Sequence, residues 1–146
     1  MPQILLTAAA LAASAPAANP PDWRLLTFVD PPAGGVMFVD AASIVRSGGS
    51  VSFVSDIRFK HPEGAADRTV QKTEADCSTR RYLDRVVTYY SNGKVILDEI
   101  NGEPKRRVAE PGSFYGGVIE MLCTGSFSRV PLPDLEAAAA KFLAQQ

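Results

Sequence analysis

Histidine, cysteine and tryptophan are scarce in this chain: one, two and one among 146 residues. Two cysteines and one histidine make a poor ligand set for zinc, and no Cys-x-x-Cys spacing is present for thioredoxin-like redox chemistry. No Gly-x-Ser-x-Gly motif accompanies the lone His61, so a nucleophilic triad lacks its signature and His61 reads as a loop residue beside Pro62. The glycine pairs Gly34-Gly35, Gly48-Gly49 and Gly116-Gly117 match neither a phosphate loop nor a dinucleotide fingerprint, which leaves them as turn or packing glycines. Excess charge is absent too. A formal net charge of −1 gives no electrostatic case for nucleic acid or an anionic membrane. No apolar run approaches the roughly 20 residues of a membrane-spanning helix, and no internal repeat is present.

What is there begins with a leader. Ile4 to Ala13 is apolar and Ala-rich, and Ala15-Pro16-Ala17 has the small-x-small form of a cleavage site. Residues 1–18 are therefore expected to be a signal peptide, which makes the mature protein periplasmic or secreted. No cysteine stands at the expected cleavage site, so no lipid anchor is expected there. Outside the cytoplasm an even cysteine count favours a disulfide. Cys77–Cys123 is the one intramolecular pairing the sequence allows; free thiols and intermolecular bridging are the alternatives. The bridge would close a loop of about 47 residues, worth about 4 kcal/mol in the chain-entropy picture.

The rest reads as one mixed domain. Trp23 to Asp30 and Val36 to Asp40 are candidate strands, separated by Pro31-Pro32-Ala33-Gly34-Gly35, with a short turn capped by Asp40 over Ala41 to Ile44. Between Val51 and Lys60 the apolar residues Val51, Phe53, Ile57 and Phe59 share one parity, while Ser52, Asp56, Arg58 and Lys60 share the other. That is the pattern of a half-buried antiparallel strand. Thr69 to Tyr90 contains no Gly or Pro and is read as one long strand; a helix from Asp76 to Val86 fits the periodicity as well. Asn92-Gly93 between Arg85–Tyr90 and Lys94–Leu97 is a strong hairpin signal. Ser113 is placed to cap a helix carrying Phe114, Val118 and Leu122 on one face, in which Gly116-Gly117 costs about 1 kcal/mol per glycine relative to alanine. A last helix follows Pro133, with Leu135, Ala138, Ala139 and Phe142 on one face and Asp134 and Glu136 at its positive end.

The expected fold is α+β: an antiparallel sheet of about five or six strands, one helix packed on a face and disulfide-linked to it, plus a C-terminal helix. Arg80, Arg81, Arg85, Lys105, Arg106 and Arg107 form a candidate basic patch for an acidic protein face or glycan. Tyr82, Tyr89 and Tyr90 are amphipathic residues suited to interfaces or to core and rim packing. The carboxylates Asp76, Asp84, Asp98 and Glu99 flank the hairpin and read as charges on a solvated face rather than a glycosidase pair.

The order of these landmarks resembles a known family. It runs Trp23, Phe38-Val39-Asp40, Ser43-Ile44, Asp76-Cys77, Arg80-Arg81, Tyr89-Tyr90, Asn92-Gly93, Pro111-Gly112-Ser113 and Leu122-Cys123. Over Trp23 to Cys123 this is similar to the surface-adhesin protein E-like family of bacterial exported proteins. The resemblance implies an antiparallel sheet with a disulfide-linked helix, no catalytic residues, no cofactor, and adhesion to host surface or matrix proteins. It sets the expected organisation: residues 1–18 as leader, 19–125 as the adhesin-like domain, 126–146 as a helical extension. The expected function is non-catalytic binding. A structural role in the envelope and a small hydrolase are the alternatives.

Overall fold

A computed structural model describes residues 19–62, 64–100 and 105–146; the expected leader lies outside the described residues. The described chain forms β1 (Trp23–Val29), β2 (Gly35–Ser47), β3 (Ser50–Phe59), β4 (Arg68–Asp76), β5 (Arg81–Ser91), β6 (Lys94–Ile100), β7 (Arg107–Val108), α1 (Phe114–Thr124) and α2 (Leu135–Ala144). The strands make one antiparallel sheet in the order β1-β2-β3-β4-β5-β6, and β7 also pairs with β5. Each long strand thus lies beside its sequence neighbour, a meander that needs only short turns. Asn92 and Gly93, at φ 50° and 76°, make the β5–β6 turn in the left-handed conformation that a tight hairpin demands.

The expected long strand over 69–90 is two strands, and no helix forms at 76–86. The break needs neither Gly nor Pro. The Asp76 carboxylate accepts hydrogen bonds from the Ser78 hydroxyl and from the Ser78 and Thr79 N–H groups at 2.7–2.9 Å, and Arg80 turns the chain at φ 56°. Those bonds, the Ser78 hydroxyl's first and the Thr79 N–H next, hold the Asp76 carboxyl down at about 2. The expected turn after Asp40 is instead a bulge within β2, because the pairing with β3 continues at Val45. Ser43 stitches it: its hydroxyl donates to the Asp40 carbonyl and accepts the Val54 N–H.

Both faces of the sheet carry a helix, where one helix on one face was expected. In β2 the alternation of side chains sends Met37 and Val39 to one side and Val36 and Phe38 to the other, and all four are fully buried. The first side, with Val51, Phe53, Ala75 and Tyr82, is covered by Val118, Ile119 and Leu122 of α1. The second is covered by α2 through Leu135, Ala138, Ala139, Phe142 and Leu143. Burying each large side chain fully contributes about 1.5–3 kcal/mol.

Local chemistry fixes α1. The Ser113 hydroxyl accepts the Gly116 N–H at 3.0 Å, and Gly125 closes the far end in the left-handed conformation. Arg46 of β2 donates to the Leu122 and Cys123 carbonyls, placing a cation at the helix's negative end. The disulfide Cys77–Cys123, with Cα atoms 5.8 Å apart, ties that end to the β4–β5 turn. The glycines of α1 differ in kind. A Cβ on Gly116 would sit 2.1 Å from the Glu110 carbonyl oxygen, whereas one on Gly117 meets nothing within 4 Å. Gly117→Ala should therefore stabilise the protein by up to about 1 kcal/mol, and Gly116→Ala should destabilise it. Urea midpoints of the two variants check this, and shifts of the same sign would contradict it.

Candidate binding surface

The six basic residues singled out in the sequence converge on one end of β5 but not on one surface. β7 pairs Arg81 with Val108 and Tyr82 with Arg107. Directly opposed residues share a face, and successive residues alternate. Arg107 therefore lies on the α1 side with Tyr82, and Arg81 lies on the α2 side. Arg85 is the extra residue of a bulge between β4 and β5, and its guanidinium pairs with Glu74 at 3.0 Å. Arg106 borders a hollow of about 280 Å³ with Ser47, Ser50, Ser52 and Glu74. Arg85 and Arg106 thus both lie beside Glu74, Arg81 lies two residues along β5 from Leu83, the partner of Glu74, and Lys105 leads into Arg106. Lys105, Arg106, Arg107 and Arg81 are exposed. Among the described residues none of these four makes an ion pair, and neither does Arg80, whose carbonyl instead accepts the Ala109 N–H at 2.8 Å.

The tyrosines divide between core and surface. Tyr82 is buried and stacks on Tyr115 of α1 with ring centroids 4.9 Å apart, and the Tyr115 hydroxyl accepts from Gln71 at 3.0 Å. Burial pushes the Tyr115 hydroxyl up to about 12. Tyr90 packs its ring under the Arg68 guanidinium at 4.5 Å. Tyr89 lines an apolar hollow of about 440 Å³ with Phe59, Ala65, Ala66, Thr69, Ile96 and Leu97.

That hollow escaped sequence reasoning. The signal was the unbroken run Val95-Ile96-Leu97 in an arm of a hairpin: three consecutive apolar residues cannot all face one core from a regular strand. They are 53%, 47% and 50% exposed.

On the opposite side, the polar parity of β3 is not a solvated face. The Asp56 side chain is fully buried; it accepts from Arg58 at 2.6 Å and from Arg68 at 2.6 and 2.9 Å. Arg58 continues to Glu136 of α2 at 2.7 and 2.8 Å. The hydrogen bond from Arg58 holds the Glu136 carboxyl below its ordinary range. This chain of alternating charges lies beneath α2 and holds structure together. His61 sits in an exposed loop with its backbone N–H donating to the Ala33 carbonyl. Among the described residues, no three His, Cys, Asp or Glu side chains gather as a metal site would require.

A family model described as surface-adhesin protein E matches residues 23–124. The match opens with β1 and closes with the last residue of α1, so it takes in the whole sheet and the disulfide-linked helix. No curated protein and no solved structure matches the chain.

Proposed function

Because this chain belongs to the surface-adhesin protein E family, we propose that it is an exported, non-catalytic binding protein, periplasmic or secreted after loss of residues 1–18. Residues 19–125 form its adhesin-like domain and 126–146 a helical extension. It engages an acidic face of a host surface or matrix protein, or an acidic glycan, through the basic end of β5 and β7.

One observation carries the reading. Arg81, Arg106, Arg107 and Lys105 are exposed at one sheet end and make no ion pair among the described residues, in a chain whose net charge is only −1. Such a local concentration of cations steers an anionic partner where the whole molecule would not. Arg81 and Arg106 are the central contacts: Arg106 borders the hollow beside Glu74, and Arg81 lies on the same side of β5 as Leu83, the residue paired with Glu74. Glu74 occupies Arg85 and leaves the other guanidiniums available. Arginine suits the role because its planar fork can pair with carboxylate or sulfate through two hydrogen bonds.

The double charge reversal Arg81→Glu/Arg106→Glu should lower binding to immobilised host-matrix proteins at least about ten-fold, the effect of about 1.4 kcal/mol. His61→Ala should leave it unchanged. Equal binding by the charge-reversed protein would remove this face from the function, and loss on His61→Ala with folding intact would revive a catalytic reading.

A further inference from the structure

The apolar hollow lies at the end of β5 away from Arg81, and its parts are held in place. Ala33, Phe59, Ala65, Ala66, Ile96 and Leu97 give it carbon walls, and its volume is about 440 Å³. Part of its floor is one rung of the sheet: Thr69 pairs with Tyr89 and Tyr89 with Leu97, so their side chains stand in a row on the α1 side. The β3–β4 loop that carries Ala65 and Ala66 is fastened at both ends. The His61 N–H donates to the Ala33 carbonyl at 2.8 Å. The Asp67 carbonyl accepts the Phe59 N–H and the Asp67 N–H donates to the Tyr90 carbonyl, each at 3.0 Å, while the Asp67 carboxylate accepts the Asn92 N–H at 2.9 Å. A wall already in place lowers the ordering cost of binding.

Two hydroxyls interrupt the carbon. Thr69 is only 7% exposed and Tyr89 is half-buried, and both line the hollow. Among the described residues neither hydroxyl has a hydrogen-bond partner. A hydroxyl as deep as that of Thr69 leaves a hydrogen bond unmet unless something enters the hollow to make it. An enclosed cavity of about 150 Å³ takes one benzene ring, so this open hollow has room for two fused rings. We propose that it binds a small neutral molecule: a compact apolar body of about that size, bearing one oxygen that hydrogen-bonds to Thr69 and Tyr89. Charge decides against an anion. Among the described residues no charged side chain lines the hollow. Burial first, then Glu99 and Asp84, hold the Tyr89 hydroxyl above its ordinary range against the opposing effect of Arg107. The hydroxyl therefore stays protonated as a donor, and the same two carboxylates repel a ligand carboxylate.

The probe is 2-naphthol, uncharged at neutral pH, with 2-naphthoate as the charged molecule on the same rings. Amide resonances of Ala65, Ala66, Thr69 and Leu97 should shift saturably with 2-naphthol, at a Kd on the order of 0.1–1 mM for so small a ligand in an open site. The carboxylate of 2-naphthoate finds no partner there, so it should bind about ten-fold more weakly or worse. Thr69→Val keeps the side chain's shape and removes its hydroxyl. It should weaken 2-naphthol about three-fold or more, yet leave the urea midpoint unchanged or raised, because that hydroxyl has no protein partner to lose. Tyr89→Phe should weaken binding likewise. Because the hollow is remote from the basic end of β5, Arg81→Glu/Arg106→Glu should bind 2-naphthol normally, and this test is separate from that of partner binding. No saturable binding, binding of 2-naphthoate as tight as that of 2-naphthol, or an affinity indifferent to both Thr69→Val and Tyr89→Phe would each overturn the proposal.

Discussion

Asp56→Ala is expected to lower stability by about 3–5 kcal/mol, with the urea midpoint falling at an unchanged slope. The carboxylate has no exposed surface, and two guanidiniums converge on it: Arg58 at 2.6 Å on one oxygen and Arg68 at 2.6 Å on the other. Replacing a whole buried ion network by well-packed apolar groups is often neutral, but removing the carboxylate alone is another matter. It leaves Arg58, whose side chain is 11% exposed, and Arg68, at 25%, facing each other across a gap with no anion between them. Arg58 keeps Glu136, but that carboxylate is 74% exposed and is well screened by water. Among the described residues Arg68 keeps the ring of Tyr90 and a longer-range attraction to Glu136. The loss should also loosen α2, because Glu136 reaches the sheet through Arg58. A loss below about 1 kcal/mol would show the network to be an ordinary surface pair.

The disulfide carries the second large effect. Cys77→Ser/Cys123→Ser should cost about 2–5 kcal/mol. The bridge spans 46 positions and joins the β4–β5 turn to the C-terminal turn of α1. Helix α1 has 11 residues, two of them glycine, and would be marginal alone. What holds it is the burial of Val118, Ile119 and Leu122, the Ser113 and Arg46 contacts at its ends, and the covalent tie. The Cys77 N–H still donates to the Gly49 carbonyl without the bridge, so the turn should persist while the helix end loosens. Hydrogen exchange should therefore report faster opening in Val118–Thr124 than in β3 and β4. Uniform loss of protection, or a change under about 1 kcal/mol, would contradict this division of labour.

Which parts of the fold were legible from sequence follows from how local their causes are. The Asn92-Gly93 hairpin, the Ser113 cap, the α2 face and the cysteine pairing each rest on a few neighbouring residues or on arithmetic, and each stands in the structure. The break at Cys77–Arg80 was hidden because its turn is made by an aspartate side chain and an arginine in left-handed backbone. The second covered face was hidden because Ser52, Asp56 and Arg58 have the same polar parity whether they meet water or an ion network. Only the arrival of Arg68 and Glu136, 12 and 80 residues beyond Asp56 in the chain, decides between these. The basic cluster was legible as composition, but its division between two faces depends on the β5–β7 register.

The binding reading stands or falls most directly on the salt dependence of the protein's affinity for an immobilised sulfated polysaccharide, with Arg81→Glu/Arg106→Glu beside it. With a net charge of −1, the molecule as a whole gives no attraction to an anion, so any affinity must come from a local face. The expected result is binding near 0.05 M salt that weakens steeply as the screening length contracts toward about 8 Å at physiological ionic strength, with a shallower dependence in the charge-reversed protein. An affinity that ignores salt, or that the two reversals leave intact, would contradict it.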